Sequence, residues 1–201
     1  MQLFGSTDSG HTFKIRTFLL LTGLAHDYEW IDLALARNAR PENFRSISKF
    51  GEVPVLQDGP QVFCQSNAIL IHLAQQSRRF CGTNDLEWQS ILEWLCWESN
   101  RIGFSVPNLR YALRWAPQPP EVLTFLRSRA IDDLQVLDHI LSGTEFLLHS
   151  GPSIADISCS GYLFWLPQAG IDIAEFPHVQ RWLSAIATLP GWVHPDVALR
   201  P

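Results

Sequence analysis

One stretch of the chain leaves fewer folding options than any other. It runs Gly51-Glu52-Val53-Pro54-Val55-Leu56-Gln57-Asp58-Gly59 and continues directly into Pro60-Gln61-Val62-Phe63-Cys64-Gln65-Ser66-Asn67-Ala68-Ile69-Leu70. Two β-type runs, Val53–Leu56 and Gln61–Phe63, flank Gln57-Asp58-Gly59-Pro60, and an Asp-Gly pair between such runs predicts a hairpin. The second run then feeds a helix. Ser66 stands where an N-cap belongs, and Ala68, Ile69, Leu70, Leu73 and Ala74 form an apolar stripe behind it. Pro54 offers no N–H to a ladder, so it belongs at an edge or where the backbone has another task. Helix N-termini carry free N–H groups and partial positive charge, which makes Gln65-Ser66 a place for a carboxylate. A plain N-cap after a plain hairpin is the alternative for Ser66 taken alone.

Upstream, Gln2-Leu3-Phe4 reads as a short strand and Gly5–Gly10 as a polar loop. His11 to Gly23 then reads as a helix with Gly23 at its C′ position. Tyr28–Leu33 alternates as a strand, and the helix before it is long enough to make the two strands parallel. A short helix follows Arg40-Pro41-Glu42. With the hairpin and its helix this completes β-α-β-α-β-β-α, the thioredoxin-like order, over residues 1–78. Beyond the linker at Arg78–Asp85 no strand pattern recurs, so residues 86–201 are expected to form an all-helical domain. There Leu86–Arg101 is amphipathic, Pro107 is expected to kink or break the run, and Glu121–Ser142 is a long helix stopped by Gly143. Ser153-Ile154-Ala155-Asp156 has the form of a capping box.

The totals narrow the function. With 46% hydrophobic residues, eight tryptophans and twelve phenylalanines, the chain has ample material for a core. A net charge of −5, from 15 basic against 20 acidic residues, gives no footprint for nucleic acid. Phe18-Leu19-Leu20-Leu21 is too short to span a bilayer, and no export signal is read, so no membrane partner and a cytoplasmic location are expected. Cys64, Cys81, Cys96 and Cys159 show no C-x-x-C spacing and the seven histidines are dispersed, so no metal is expected.

The block around Val53-Pro54 and Gln65-Ser66 resembles the glutathione-binding half of the glutathione S-transferase family. Lys14-Ile15-Arg16, Arg40-Pro41-Glu42, Phe50-Gly51, the Ser153–Asp156 run and the Phe176–Trp192 segment extend the likeness over nearly the whole chain. Ser48-Lys49 stands where Asn-Pro is usual, and Glu52 where a basic or amide residue is typical. The resemblance implies a thioredoxin-like domain plus an all-α domain, glutathione as co-substrate, and a homodimer built on the helices from Ser66 and Leu86. In it the Val53-Pro54 bond is cis, Val53 pairs with the cysteinyl part of glutathione, and Gln65-Ser66 hold the γ-glutamyl end. Asn38 is a candidate for contact elsewhere on the tripeptide.

The family places a thiol-activating donor at the start of the first helix, where the resemblance, of the bacterial serine-type or nu-like kind, selects Ser9. Ser6 and Thr7 are alternatives, His11 stands where some relatives have Asn, and an N-cap role also fits Ser9. No cysteine precedes Cys64 and no tyrosine precedes Tyr28, which excludes cysteine- and tyrosine-type activation. Asn108, Arg110, Tyr111 and Trp115 are the candidates for a hydrophobic electrophile site, although an aromatic stripe at helical spacing also serves as core. The implied function is transfer of the glutathione thiol to a small hydrophobic electrophile, as in detoxification. Glutathione-dependent disulfide reduction and a non-catalytic binding role are the alternatives.

Overall fold

In the computed structural model, which describes residues 1–201, β1 (Gln2–Gly5) lies inside a four-stranded sheet. A Cβ added at Gly5 would stand 2.1 Å from Thr12 Cγ2, so only glycine lets the strand end this close to the first turn of α1 (Gly10–Thr22). Phe13, Ile15, Phe18 and Leu19 of α1 are buried, and the helix closes on Gly23 at φ 68°, whose N–H reaches the Leu19 and Leu20 carbonyls as the sequence predicts. The return strand β2 (Asp27–Trp30) pairs parallel to β1. It stops short of the predicted Leu33 because Asp32 Oδ1 accepts the Ala34 N–H at 2.9 Å, turning the chain.

After a 3₁₀ turn at Arg37–Ala39 and α2 (Glu42–Ile47), β3 (Val55–Asp58) pairs antiparallel with β1 and with β4 (Gln61–Cys64). The sheet order is β2-β1-β3-β4. Asp58 pairs with Gln61, so the hairpin loop is Gly59-Pro60, with Gly59 at φ 59°, and not centred on Asp-Gly. Ile69, Leu70, Leu73 and Ala74 of α3 (Ser66–Ser77) are fully buried, the stripe expected.

The second unit, Arg79–Thr188, contains α4 (Asp85–Asn100), α5 (Ile102–Arg114), α6 (Pro120–Leu141), α7 (Ile154–Ser160) and α8 (Pro177–Ala187). Pro107 sits inside α5 and does not break it; the helix run breaks at Arg101, at φ −114° and ψ −101°. Across the break, buried Glu98 lies so close to Gly103 that an added Cβ would stand 2.0 Å from Glu98 Oε1, so only glycine fits there. The capping box at α7 is present, and buried Asp156 also accepts from Leu147 N–H and Trp182 Nε1–H.

The chain ends in α9 (Pro195–Ala198), and Leu189–Pro201 clusters with Met1–Arg78 as the first unit, which corrects the expectation that residues 86–201 form one domain. Local chemistry explains the return. Arg16 Nε donates to Ala198 O at 3.1 Å, Tyr28 donates to Leu199 O at 3.3 Å, and Gly191 passes so near Leu20 O that a side chain would collide. Burial pushes the Tyr28 hydroxyl up to about 12, opposed by the Arg16 guanidinium. No helix is long and apolar enough to cross a membrane.

Candidate active site

The first unit has a pocket of about 90 Å³ in front of α3. Val53, Pro54, Gln65, Ser66 and His11 line it, together with Phe50, Glu52 and Cys64. The Val53–Pro54 peptide is cis, as the sequence predicts. Two contacts pin the backbone leading into it: Arg40 Nη1 donates to Gly51 O at 2.6 Å, and Ser48 Oγ donates to Glu52 O at 3.2 Å.

Ser66 is not the N-cap expected from the sequence. The helix starts at Ser66 itself, Gln65 is the residue before it, and no side chain caps the start. Gln65 has φ 70° and ψ 117°, outside the left-handed well that a non-glycine residue tolerates, so this backbone is strained. The first turn of α3 also contains no acidic residue. The helix thus supplies no counter-charge of its own to its positive end, an arrangement that suits a carboxylate.

Two side chains frame that end. Ser66 Oγ lies 3.3 Å from His11 Nδ1, so the first turn of α1 and that of α3 meet across the pocket. A neutral imidazole with its proton on Nδ1 donates to Ser66 and leaves the hydroxyl hydrogen for a ligand; the other tautomer consumes it. Gln65 Nε2 stands 3.5 Å from Glu52 Oε2.

Ser9 and Asn38 do not line this pocket. Ser9 is buried at the N-cap of α1, where Oγ accepts the Thr12 N–H at 3.1 Å; the bond uses the oxygen and not the hydroxyl hydrogen. Asn38 is exposed in the Arg37–Ala39 turn. Of the four electrophile-site candidates in the second unit, three are exposed and Arg110 is buried. Arg110 is 2% exposed, bonded to Gln168 Oε1 at 2.8 Å and stacked 4.4 Å from Trp165 and 4.9 Å from Trp115. A guanidinium so held helps pack its own unit. Asn108, Tyr111 and Trp115 are exposed, with Asn108 Nδ2 donating to Phe104 O at 2.7 Å and the Tyr111 and Trp115 rings 5.9 Å apart. Phe50, Glu52 and Cys64 also line the pocket without having been singled out for it from the sequence, although Glu52 adjoins Val53 and Cys64 adjoins Gln65.

Comparison with known proteins identifies the family. Residues 3–79 match the glutathione S-transferase N-terminal domain, and residues 121–190 match the glutathione S-transferase C-terminal domain. Among curated relatives, the disulfide-bond oxidoreductase YfcG of Escherichia coli K12 is 28% identical, over 94% of this chain and 90% of its own. A crystal structure of a glutathione S-transferase from Pseudomonas fluorescens Pf-5 superposes with a TM-score of 0.87 at 28% identity, covering 96% of this chain and 98% of that one. Another, from Xanthobacter autotrophicus Py2, gives 0.86 at 27% identity, covering 96% and 95%. Two domain models of one family, in order along the chain and on the two units described, show that this protein belongs to the glutathione S-transferase family.

Proposed function

We propose that the protein is a glutathione transferase that holds glutathione ahead of α3, ionises its thiol and presents the thiolate to a small hydrophobic electrophile. The observation that carries this reading is the uncapped, strained start of α3 opening into a pocket that Val53 and Pro54 also line. In this reading the γ-glutamyl carboxylate takes the N–H groups at Gln65 and Ser66 and the Ser66 hydroxyl, with His11 holding that hydroxyl in its donating orientation. The Val53 backbone pairs with the cysteinyl unit.

Ser9 is the proposed thiol-activating donor. A thiol of pKa about 8.5 needs a hydrogen bond and a positive helix end to ionise near neutrality. One charge-assisted bond of about 1.5–3 kcal/mol lowers the value by roughly one to two units. The thiolate then bonds to the electrophilic carbon, the leaving group departs with the electron pair, and the thiol proton passes to solvent. Ultraviolet absorbance of the bound thiolate against pH, in wild type and Ser9→Ala, tests the donor. An unchanged titration and turnover in the variant would move the role to His11 or Ser6.

The 28% identity to a relative named as a disulfide-bond oxidoreductase favours a second reading. There the same thiolate attacks a disulfide, forms a mixed disulfide and expels a thiolate, and a second glutathione releases the other half. Purified protein assayed with glutathione and aryl halides, epoxides and disulfides separates the two. Turnover of carbon electrophiles supports transfer, turnover of disulfides alone supports reduction, and neither would leave a binding protein. The reading includes a cytoplasmic homodimer, so light scattering should give twice the 22.8 kDa chain mass.

A further inference from the structure

We infer that Glu52 is the counter-charge for the α-ammonium group of the bound thiol peptide, so that this pocket selects γ-glutamyl ligands whose amino group is free. The inference rests on the reading of the pocket as the glutathione site and adds the group that reads the other half of the γ-glutamyl head. That head is a zwitterion. The start of α3 supplies donors, which suit its carboxylate, but an ammonium brings three donors of its own and needs an acceptor, best a charged one.

Among the side chains lining the pocket, His11, Cys64, Gln65 and Ser66 bring an imidazole, a thiol, an amide and a hydroxyl, and the sole carboxylate is that of Glu52. Its oxygens are loosely engaged. Oε2 is 3.5 Å from Gln65 Nε2 and Oε1 is 3.9 Å from Arg37 Nη2, both longer than a normal charge-assisted bond. The Arg37 and Glu52 side chains are 70% and 58% exposed, so water and salt screen that pair and leave the carboxylate able to exchange it for a ligand cation. The backbone beneath it is fixed through Gly51 O and Glu52 O, so little ordering is needed to present the charge. Gln65 beside it is neutral and cannot supply the anion itself. An N-acylated γ-glutamyl thiol would forfeit this contact.

The test compares, by calorimetry, glutathione with its analogue lacking the α-amino group, on wild type and on Glu52→Gln. Wild type should prefer glutathione by about tenfold, and Glu52→Gln should reduce the preference below about threefold by weakening glutathione alone. The wild-type half needs no variant, and an exposed residue should tolerate the isosteric change. A variant that keeps the full preference overturns the inference, as does a wild type that binds both ligands alike, and in either case the glutathione site stands. A preference that moves instead with amidation of the glycyl carboxylate places Glu52 at the other end of the ligand and also overturns it. A wild type that fails to bind glutathione removes the site reading and this inference together.

Discussion

The starts of α3 and α7, one in each unit, both carry a serine, and their surroundings are opposite. At α7, Ser153 and Asp156 satisfy the helix start from within: Asp156 accepts from Ser153 N–H and Oγ–H, Leu147 N–H and Trp182 Nε1–H, and Ser153 Oγ accepts the Ala155 N–H. At α3 nothing caps the start, the residue before Ser66 is strained, and a pocket opens in front. The motif at α7 is complete and does structural work. The one at α3 has no acidic residue in its own first turn, and we read the ligand's carboxylate as the anion that completes it. A serine at a helix start is therefore uninformative until its partners are counted.

Breaking the filled start should have the largest effect. Asp156→Ala removes the acceptor of several buried donors at once and should cost about 3–5 kcal/mol in urea unfolding, or prevent soluble expression. Burial also lifts the Asp156 carboxyl above its ordinary value, against the pull of its donors from Leu147, Trp182 and Ser153. A carboxyl raised in the folded state binds its proton more tightly there than in the unfolded chain. Its contribution is full below the unfolded value and is lost as pH rises through the folded one. Wild type should thus lose stability relative to Asp156→Asn as pH rises from about 4 toward neutrality. A gap that moves the other way would mean that the donors outweigh burial.

Ser153→Ala should come next, at about 1–2 kcal/mol of stability with no change in ligand affinity, whereas Ser66→Ala should leave unfolding within about 0.5 kcal/mol. Equal losses at the two serines would erase the contrast. Gln65→Gly sharpens it further. Glycine accepts φ 70° freely, so the variant should gain up to about 1 kcal/mol of stability while glutathione binding weakens, because the helix start is no longer held in one position. Stability lost at this position would mean that the Gln65 side chain matters more to the fold than its backbone strain.

What the sequence reveals depends on how local the cause is. Gly23 as a left-handed cap, the capping box at Ser153 and the hairpin ahead of Ser66 each follow from a few adjacent residues, and the structure has all three. The break at Arg101 has no such local signature, since the conspicuous Pro107 lies inside α5. The burial of Arg110 has no local sign either: its partners Gln168 and Trp165 are remote in sequence. The docking of Leu189–Pro201 on the first unit depends on Arg16 and Tyr28, equally distant. At the pocket, the residues with a motif were legible, while Glu52 and Cys64 become lining residues only once the hairpin and α3 are folded.

The account turns on whether the open start of α3 receives the acidic end of glutathione. Calorimetric titration of glutathione into wild type, Ser66→Ala and Ser153→Ala measures this directly. Loss of one donor to a charged group, about 1.5–3 kcal/mol, should weaken binding by more than about tenfold in Ser66→Ala, with Ser153→Ala matching wild type. Unchanged affinity in a folded Ser66→Ala protein would contradict the account and place the ligand elsewhere.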